Sequence, residues 1–368
     1  MSFYIICGRF YDLQKNILHI GGIETYVSNL TKIFEEMQEY TTIIQLDNLS
    51  GNYSINEYVN IVSLSRAKTS YLDMIKCAEN IGNTETDVLL FATSTMIYKT
   101  KFKKSMAIQH GIYWDIPTIS GKSNIPENVS TYLRAIQARK IIKQHRSVSK
   151  MICVDYNYVN WLRSQTTDRN LDYSVIPNFT DTLKNKRKYI NSDVLRIVYA
   201  RRCEVIRGSD LLCNVLPHIL KKYHNVSLTI SGNGSQLEKI KSVFSEYENV
   251  DFTTYQSSES LEFHQNFDIA IVPSIGSEGT SLSLLEAMAA GCAVICTDVG
   301  GMSNIILDNY NGLICKPTKE NLLENIINLI ENFELRRRIS QNAIETIEFS
   351  FSLERWKNQW KNEIINIR

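Results

Sequence analysis

Pro273-Ser-Ile-Gly-Ser-Glu-Gly-Thr-Ser-Leu-Ser-Leu-Leu-Glu-Ala-Met-Ala-Ala-Gly291 is the stretch on which the reading of this chain turns. It follows the apolar run DIAIV and leads into another, CAVICT. Short apolar runs without alternation read as strands buried on both faces. Between them Gly276 and Gly279 mark a loop, and the spacing of apolar residues predicts a helix over residues 280–290. The first turn of such a helix offers unpaired N–H groups and a partial positive charge, which suits a phosphate. Glu278 precedes that turn, and Glu286 follows about two turns later, on the order of 9 Å along the axis. A ligand with hydroxyls at both ends and a phosphate between them fits this layout, as a sugar nucleotide does. Taken singly, each glutamate also reads as an ordinary solvated charge at a helix end.

The same alternation extends outward. FYIIC, TTIIQL, DVLLFA, SMAIQH and MICVD read as strands in the first half, and LRIVYA, VSLTISG, DIAIVPS and CAVICT in the second. Residues 23–37, 129–148 and 208–223 have helical spacing of apolar positions. Strands alternating with helices predict an α/β protein with parallel sheets covered on both faces. A chain of 368 residues is long for one core. The polar run NFTDTLKNKRKYINSD at 178–193 is the natural break. Two doubly wound, Rossmann-like lobes are therefore expected, 1–185 and 186–348, with the ligand in the cleft where their sheets' carboxyl ends face each other.

Composition narrows the class. With 43% hydrophobic and 21% charged residues the chain reads as globular. No uncharged run approaches the roughly 18 residues of a membrane span, and the N-terminus lacks a signal-peptide pattern. A cytoplasmic protein is expected. The eight cysteines are scattered and read as small buried hydrophobes. Cys292 and Cys296 would lie about 13 Å apart along a strand, too far to share a metal ion. The modest positive balance of the first half is too weak to argue for nucleic acid.

EGTSLSLLEAMAAGCAVICTDVGG resembles the donor-binding signature of the GT4-type retaining glycosyltransferases, with two glutamates separated by seven residues. The resemblance implies a GT-B architecture and a nucleotide-sugar donor. It places Glu278 against the donor sugar, Glu286 on the ribose hydroxyls, and Gly279, Thr280, Ser281 and Leu282 along the donor. Thr280-Ser281 stands where many members have an aromatic residue followed by glycine. Gly300-Gly301 and DNYNGLIC continue the match. ARRCEVIRG after LRIVYA is similar to the family's strand, Gly-Arg-Leu, short loop and Lys-Gly. On that pattern Arg202 and Arg207 hold the departing diphosphate, and Arg201 is a surface charge.

Gly232-Asn-Gly234 resembles the glycine turn near the nucleotide, and equally reads as ordinary turn chemistry. Gly21-Gly22 resembles the loop that lets the first lobe approach the donor phosphates, and also reads as a simple helix start. His110, at the end of SMAIQH, stands where members often place a histidine beside sugar and acceptor; a hydrogen-bonded structural role is the other reading. Pro177-Asn178 reads as hinge structure, and the segment 349–368, which contains FSLERWKNQWKNEIINIR, resembles the C-terminal helix that crosses back to the first lobe.

The resemblance therefore implies transfer of a sugar, from a UDP-sugar by family habit, to a glycan or lipid-linked glycan acceptor, and the lack of a carboxylate or cysteine metal cluster beside the donor signature makes metal-independent transfer the expectation. Bacterial surface polysaccharide or glycoconjugate synthesis is the expected setting. A non-catalytic sugar-nucleotide scaffold, or a phosphorylase or epimerase of the same architecture, remains open. The basic amphipathic stretch STYLRAIQARKIIKQHRSVSK suggests peripheral contact with anionic membrane at the inner face of the cell membrane.

Overall fold

Leu195–Ala200 shows how the chain builds its sheets. Ile197 and Tyr199 point to one face, against Leu212, Val215 and Leu216 of the helix Ser209–Lys222. Val198 and Ala200 point to the other, against Leu284, Leu285 and Met288 of the helix Leu282–Ala289. Both faces are covered, so the strand shows no polar alternation. The computed structural model describes every residue except Ile20, 113–126, 184–192 and Ser277, and no side chain of 127–131.

The chain forms two compact units. One comprises Met1–His110, Ile125–Pro177 and Trp356–Arg368; the bulk of the other is Asn178–Arg355. The boundary expected at 185/186 lies outside the described residues.

The first unit carries an eight-stranded sheet. Its order is Tyr173–Val175, Lys150–Cys153, Lys104–Gln109, Val88–Phe91, Ser2–Ile6, Tyr40–Asp47, Val59–Ser65 and Gly51–Ser54. Neighbours are parallel except Gly51–Ser54, which runs antiparallel to Val59–Ser65. The helices Gly22–Glu36, Tyr71–Ile81, Glu127–His145 and Tyr156–Gln165 belong to this unit. Ser70 and Asp73 form a reciprocal capping box that starts Tyr71–Ile81.

The last helix, Leu353–Ile367, buries Trp356 and Trp360. Both indoles pack edge-on to the Tyr26 ring, and Trp360 Nε1–H donates to the Tyr26 hydroxyl at 2.8 Å. Lys357 and Lys361 both pair with Glu36 on the helix Gly22–Glu36. The aromatic lock is buried, whereas these lysines are partly solvated and contribute less.

The second unit carries six parallel strands, in the order Val250–Thr253, Val226–Ser231, Leu195–Ala200, Ile269–Val272, Ala293–Thr297 and Leu313–Cys315. This is the doubly wound order in which the chain begins at the centre and builds outward twice. The helix expected over 280–290 is shorter: it begins at Leu282, with Ser281 as its N-cap in extended conformation. Among the described residues no helix is long and apolar enough to cross a membrane.

The aromatic lock makes a stability prediction. Trp360→Phe removes one of the buried donors to the Tyr26 hydroxyl, a loss of about 1–3 kcal/mol. A clear drop in the thermal melting midpoint is expected, and an unchanged midpoint would rule out that contribution.

Candidate active site

Leu195–Ala200 and Ile269–Val272 are hydrogen-bonded neighbours from which the chain winds off in opposite directions. Doubly wound sheets bind ligands in the crevice outside the carboxyl ends of such a strand pair. Arg201 follows the first of these strands, and Pro273 to Glu278 follow the second.

Glu278 is 6% exposed. Its carboxylate accepts from Arg201 Nη2, pairs with Arg207 Nη1 at 2.5 Å and accepts from the Ser274 hydroxyl at 2.5 Å. Burial alone raises this carboxyl, but Arg201, Arg207 and the Ser274 hydroxyl outweigh it and hold the group below its ordinary value. Ser274 is held in turn, its carbonyl accepting from the Thr297 hydroxyl at the end of the next strand.

The backbone is fixed just as closely. Gly301 N–H donates to the Glu278 carbonyl at 2.9 Å. Gly300 sits at φ +57°, and a Cβ there would fall 2.1 Å from the same carbonyl oxygen. Only glycine allows that approach. On the arginine side, Arg201 N–H donates to Ser231 and Cys203 N–H to Asn233. A Cβ on Gly232 would lie 2.2 Å from the Arg201 carbonyl. Gly232-Asn-Gly234 therefore backs the loop that carries the arginines. The Tyr199 hydroxyl bridges the carbonyls of Arg202 and Arg207 at 3.3 and 3.2 Å and closes the loop.

The resemblance to the family's loop implied Arg202 as the partner of Arg207. The structure brings Arg201 to Glu278 instead, with its side chain 6% exposed, and leaves Arg202 exposed. The two guanidiniums that converge on Glu278 are thus six residues apart rather than five, with a short 3-10 turn over Val205–Arg207 between them. Among the described residues, Arg201 Nε and Nη1 are buried without a hydrogen-bond partner. Burying charged donors without partners is costly. Burial lowers the pKa of Arg207 and Glu278 partly restores it.

Glu286 lies on the helix Leu282–Ala289. Burial pushes its carboxyl up to about 7, with a hydrogen bond from Ser260 offsetting part of the shift. The Tyr255 ring, stacked on Phe263 at 4.3 Å, belongs to the same neighbourhood, since its hydroxyl is raised first by burial and then by Glu286. Leu285 N–H makes the first intrahelical bond to Ser281. The N–H groups of Leu282, Ser283 and Leu284 precede it and form the helix's donor end. Thr280 and Ser281 are buried just upstream, and the Asn178 amide donates to the Thr280 carbonyl at 2.7 Å. Ser274, Thr297, Ser260 and Asn178 were not singled out as site residues. A lone hydroxyl or amide beside a strand end carries no sequence signal that separates it from an ordinary loop residue.

In the first unit, His110 Nε2 lies 2.9 Å from the Ala92 carbonyl and the ring packs edge-on against Tyr26 at 5.2 Å. Burial drives its pKa down to about 4, against a partial rise from that hydrogen bond. The ring is therefore neutral near pH 7, with Nε2 as donor and Nδ1 as acceptor. Gly21 is the N-cap of Gly22–Glu36, and its carbonyl accepts from Thr25 N–H at 2.9 Å.

Two parallel-sheet Rossmann-like units, one with a buried carboxylate clasped by two arginines at its switch point, define a protein of the GT-B class. Residues 181–346 match the family described as "Glycosyl transferases group 1". The chain is 26% identical over 379 residues to an uncharacterised glycosyltransferase of Methanocaldococcus jannaschii, covering 94% of each. It is 27% identical over 214 residues to the lipopolysaccharide 1,2-N-acetylglucosaminetransferase of Salmonella typhimurium, covering 51% of this chain and 56% of that one. Among solved structures, TarM of S. aureus in a complex that includes UDP superposes with a TM-score of 0.73 at 15% identity, covering 98% of this chain and 99% of that one. Sucrose-phosphate synthase from Thermosynechococcus elongatus gives 0.74 at 14% identity, covering 100% and 98%. The chain therefore has the GT-B fold, and its residues 181–346 match the group 1 glycosyltransferases.

Removing Glu278 leaves the buried Arg201 guanidinium and the half-buried one of Arg207 without their counter-charge. Glu278→Ala is expected to destabilise the protein by about 3–5 kcal/mol, the usual effect of breaking a buried pair from one side. Chemical denaturation checks this, and a loss below 1 kcal/mol would show that the pair is effectively solvated.

Proposed function

We propose that this protein transfers a sugar, with retention at the anomeric carbon, from a nucleoside-diphosphate donor to a hydroxyl of a glycan or lipid-linked glycan. The observation that carries this reading is Arg201: a buried guanidinium beside Arg207, with two donors left over after Glu278 is satisfied. A diphosphate supplies the anion those donors lack. The bond from the anomeric carbon to the phosphate oxygen breaks, and negative charge grows on the departing diphosphate. The acceptor oxygen bonds to the same carbon, on the face from which the phosphate leaves, and its proton passes to that phosphate oxygen. Arg201, Arg207 and the first-turn N–H groups of Leu282–Ala289 stabilise the leaving group. Two fixed cations do the work a divalent ion would otherwise do, so the reaction is read as metal-independent.

Glu286 suits the ribose hydroxyls, since an ionised carboxylate accepts both at once. His110 stays neutral and offers Nδ1 as an acceptor to a sugar or acceptor hydroxyl. UDP in the complexes of structurally similar proteins favours a UDP-sugar. A relative named as a lipopolysaccharide glycosyltransferase favours surface polysaccharide or glycoconjugate synthesis.

Transfer to acceptor is first scored with a panel of nucleoside-diphosphate sugars, with and without EDTA. At saturating substrates, Arg201→Ala is expected to lower kcat by roughly 10²- to 10³-fold. Arg202→Ala is expected to stay within a few-fold of the parent, and EDTA to leave rates largely intact. A crippled Arg202→Ala beside a normal Arg201→Ala, or activity restored only by added metal, would contradict this assignment.

Donor affinity is also expected to depend on pH. With the Glu286 carboxyl near 7, the ionised form that accepts both ribose hydroxyls grows as pH rises from 6 to 8. Donor KM should therefore fall over that interval, and Glu286→Gln should flatten the trend while raising KM throughout. A KM that rises with pH in the parent protein would exclude the ribose role.

A further inference from the structure

The aromatic lock on the last helix reaches beyond stability, because Tyr26 also touches His110. Tyr26, Trp356 and Trp360 are all buried. Tyr26 lies one turn into the helix Gly22–Glu36. Its hydroxyl accepts from the Trp360 indole, 334 positions along the chain, and Trp356 is a second donor to it. The two indoles also pack on each other, with ring centroids 6.3 Å apart. The phenol is thereby held at its outer end, while its ring lies 5.2 Å from that of His110.

His110 has two restraints among the described residues. Nε2–H donates to the Ala92 carbonyl at 2.9 Å, and Ala92 is itself fixed, its N–H donating to Ile6 at 2.9 Å. One hydrogen bond fixes a point on the imidazole and leaves its tilt open. The Tyr26 ring, at 89° to it, supplies the second restraint, since edge-to-face rings hold a preferred mutual angle. Nδ1 makes no hydrogen bond among the described residues, and His110 keeps part of its surface accessible. The titratable groups packed nearby are Tyr26 and Cys153, both of which burial keeps protonated near neutral pH. Asp155, just beyond Cys153, caps the helix Tyr156–Gln165.

We infer that Tyr26, Trp356 and Trp360 are positioning residues for the transfer reaction: they fix the His110 ring so that Nδ1 is presented to a substrate hydroxyl. This rests on the substrate role proposed above for His110. An acceptor nitrogen is effective only when its lone pair meets the hydroxyl proton nearly in line. Misplacement by about 1 Å can cost roughly 10²-fold in rate. The last helix therefore serves the chemistry as well as the fold, through two indoles, one phenol and one imidazole in sequence.

Nitrogen–proton correlation spectra of the imidazole side chains in the full-length protein test this, read beside transfer kinetics. The chain has six histidines, and His110→Ala assigns the signal of interest. The parent protein is expected to show one neutral tautomer, protonated at Nε2 and titrating at about 4. Tyr26→Leu removes the ring wall and admits water, so the His110 pKa should rise toward the ordinary histidine value and a second tautomer should appear. In the same variant kcat should fall roughly tenfold, with donor KM within about twofold of the parent. Tyr26→Phe and Trp360→Phe keep the wall and cut its tie, and should move the signal the same way by less, which carries the test if Tyr26→Leu does not fold. Their double variant should go no further than either alone. Ile364→Val trims a buried side chain one turn beyond Trp360 and should leave His110 unmoved. A His110 signal that stays at the parent position in the Tyr26 and Trp360 variants, or that Ile364→Val moves equally, overturns the inference. So does a shifted signal with unchanged kcat, which would make the lock structural alone. Unchanged kcat in His110→Ala would instead overturn the substrate role of the histidine, whatever the Tyr26 variants show.

Discussion

A carboxylate taken out of water needs its charge answered nearby, and around Glu278 that requirement organises the second unit. Desolvating one ion costs several kcal/mol even after relaxation, so a buried carboxylate persists only with close partners. Arg201 and Arg207 supply the charge and Ser274 a further donor. Each partner is fixed by something else. Thr297 holds Ser274, Tyr199 closes the loop between the arginines, and Gly232 lets the Arg201 backbone pass. Gly300 and Gly301 hold the Glu278 carbonyl. Strand ends, glycines and hydroxyls that look unrelated in sequence thus serve one ion cluster.

The cluster is asymmetric, and the asymmetry is what makes it useful. One carboxylate answers two guanidiniums, leaving net positive charge and unused donors in a low-dielectric site. Electrostatic stabilisation is strongest where the donors are already in place and water is scarce. Glu286 has the opposite situation. Burial, only partly offset by a hydrogen bond from Ser260, raises its carboxyl to about 7. Two glutamates eight positions apart are therefore held in different charge regimes by their surroundings. In the first unit, His110 follows a third course: burial keeps it neutral, and one carbonyl orients its ring. Tyr26 ties that ring to the last helix, since it packs on His110 and accepts from Trp360.

Much of the fold was legible because strands covered on both faces leave continuous apolar runs. Leu195–Ala200 and Ala293–Thr297 are of this kind. Val59–Ser65 was not recognised, because Asn60, Ser63 and Ser65 break up its apolar pattern near the edge of the sheet. Among the donor-loop residues, Glu278 and Glu286 stood out through their spacing around a strand, loop and helix. Arg201 was passed over for Arg202 because adjacent arginines are indistinguishable in sequence. Which of them turns inward is set by the packing around Glu278, 77 positions further on.

By itself the sequence determined what is local: the order of most strands and helices, the glycine-rich loop before a helix, and two glutamates at a set spacing. Those features follow from side-chain periodicity and backbone preferences, which act over a few residues. The tertiary structure alone decided which charges meet. Arg201 and Glu278 lie 77 positions apart. Their pairing depends on Leu195–Ala200 and Ile269–Val272 becoming neighbours in a parallel sheet. The raised carboxyl of Glu286 and the lowered histidine pKa of His110 were settled at the same level, because both are consequences of burial. Exclusion of water is a property of the packed chain, and no short segment carries it.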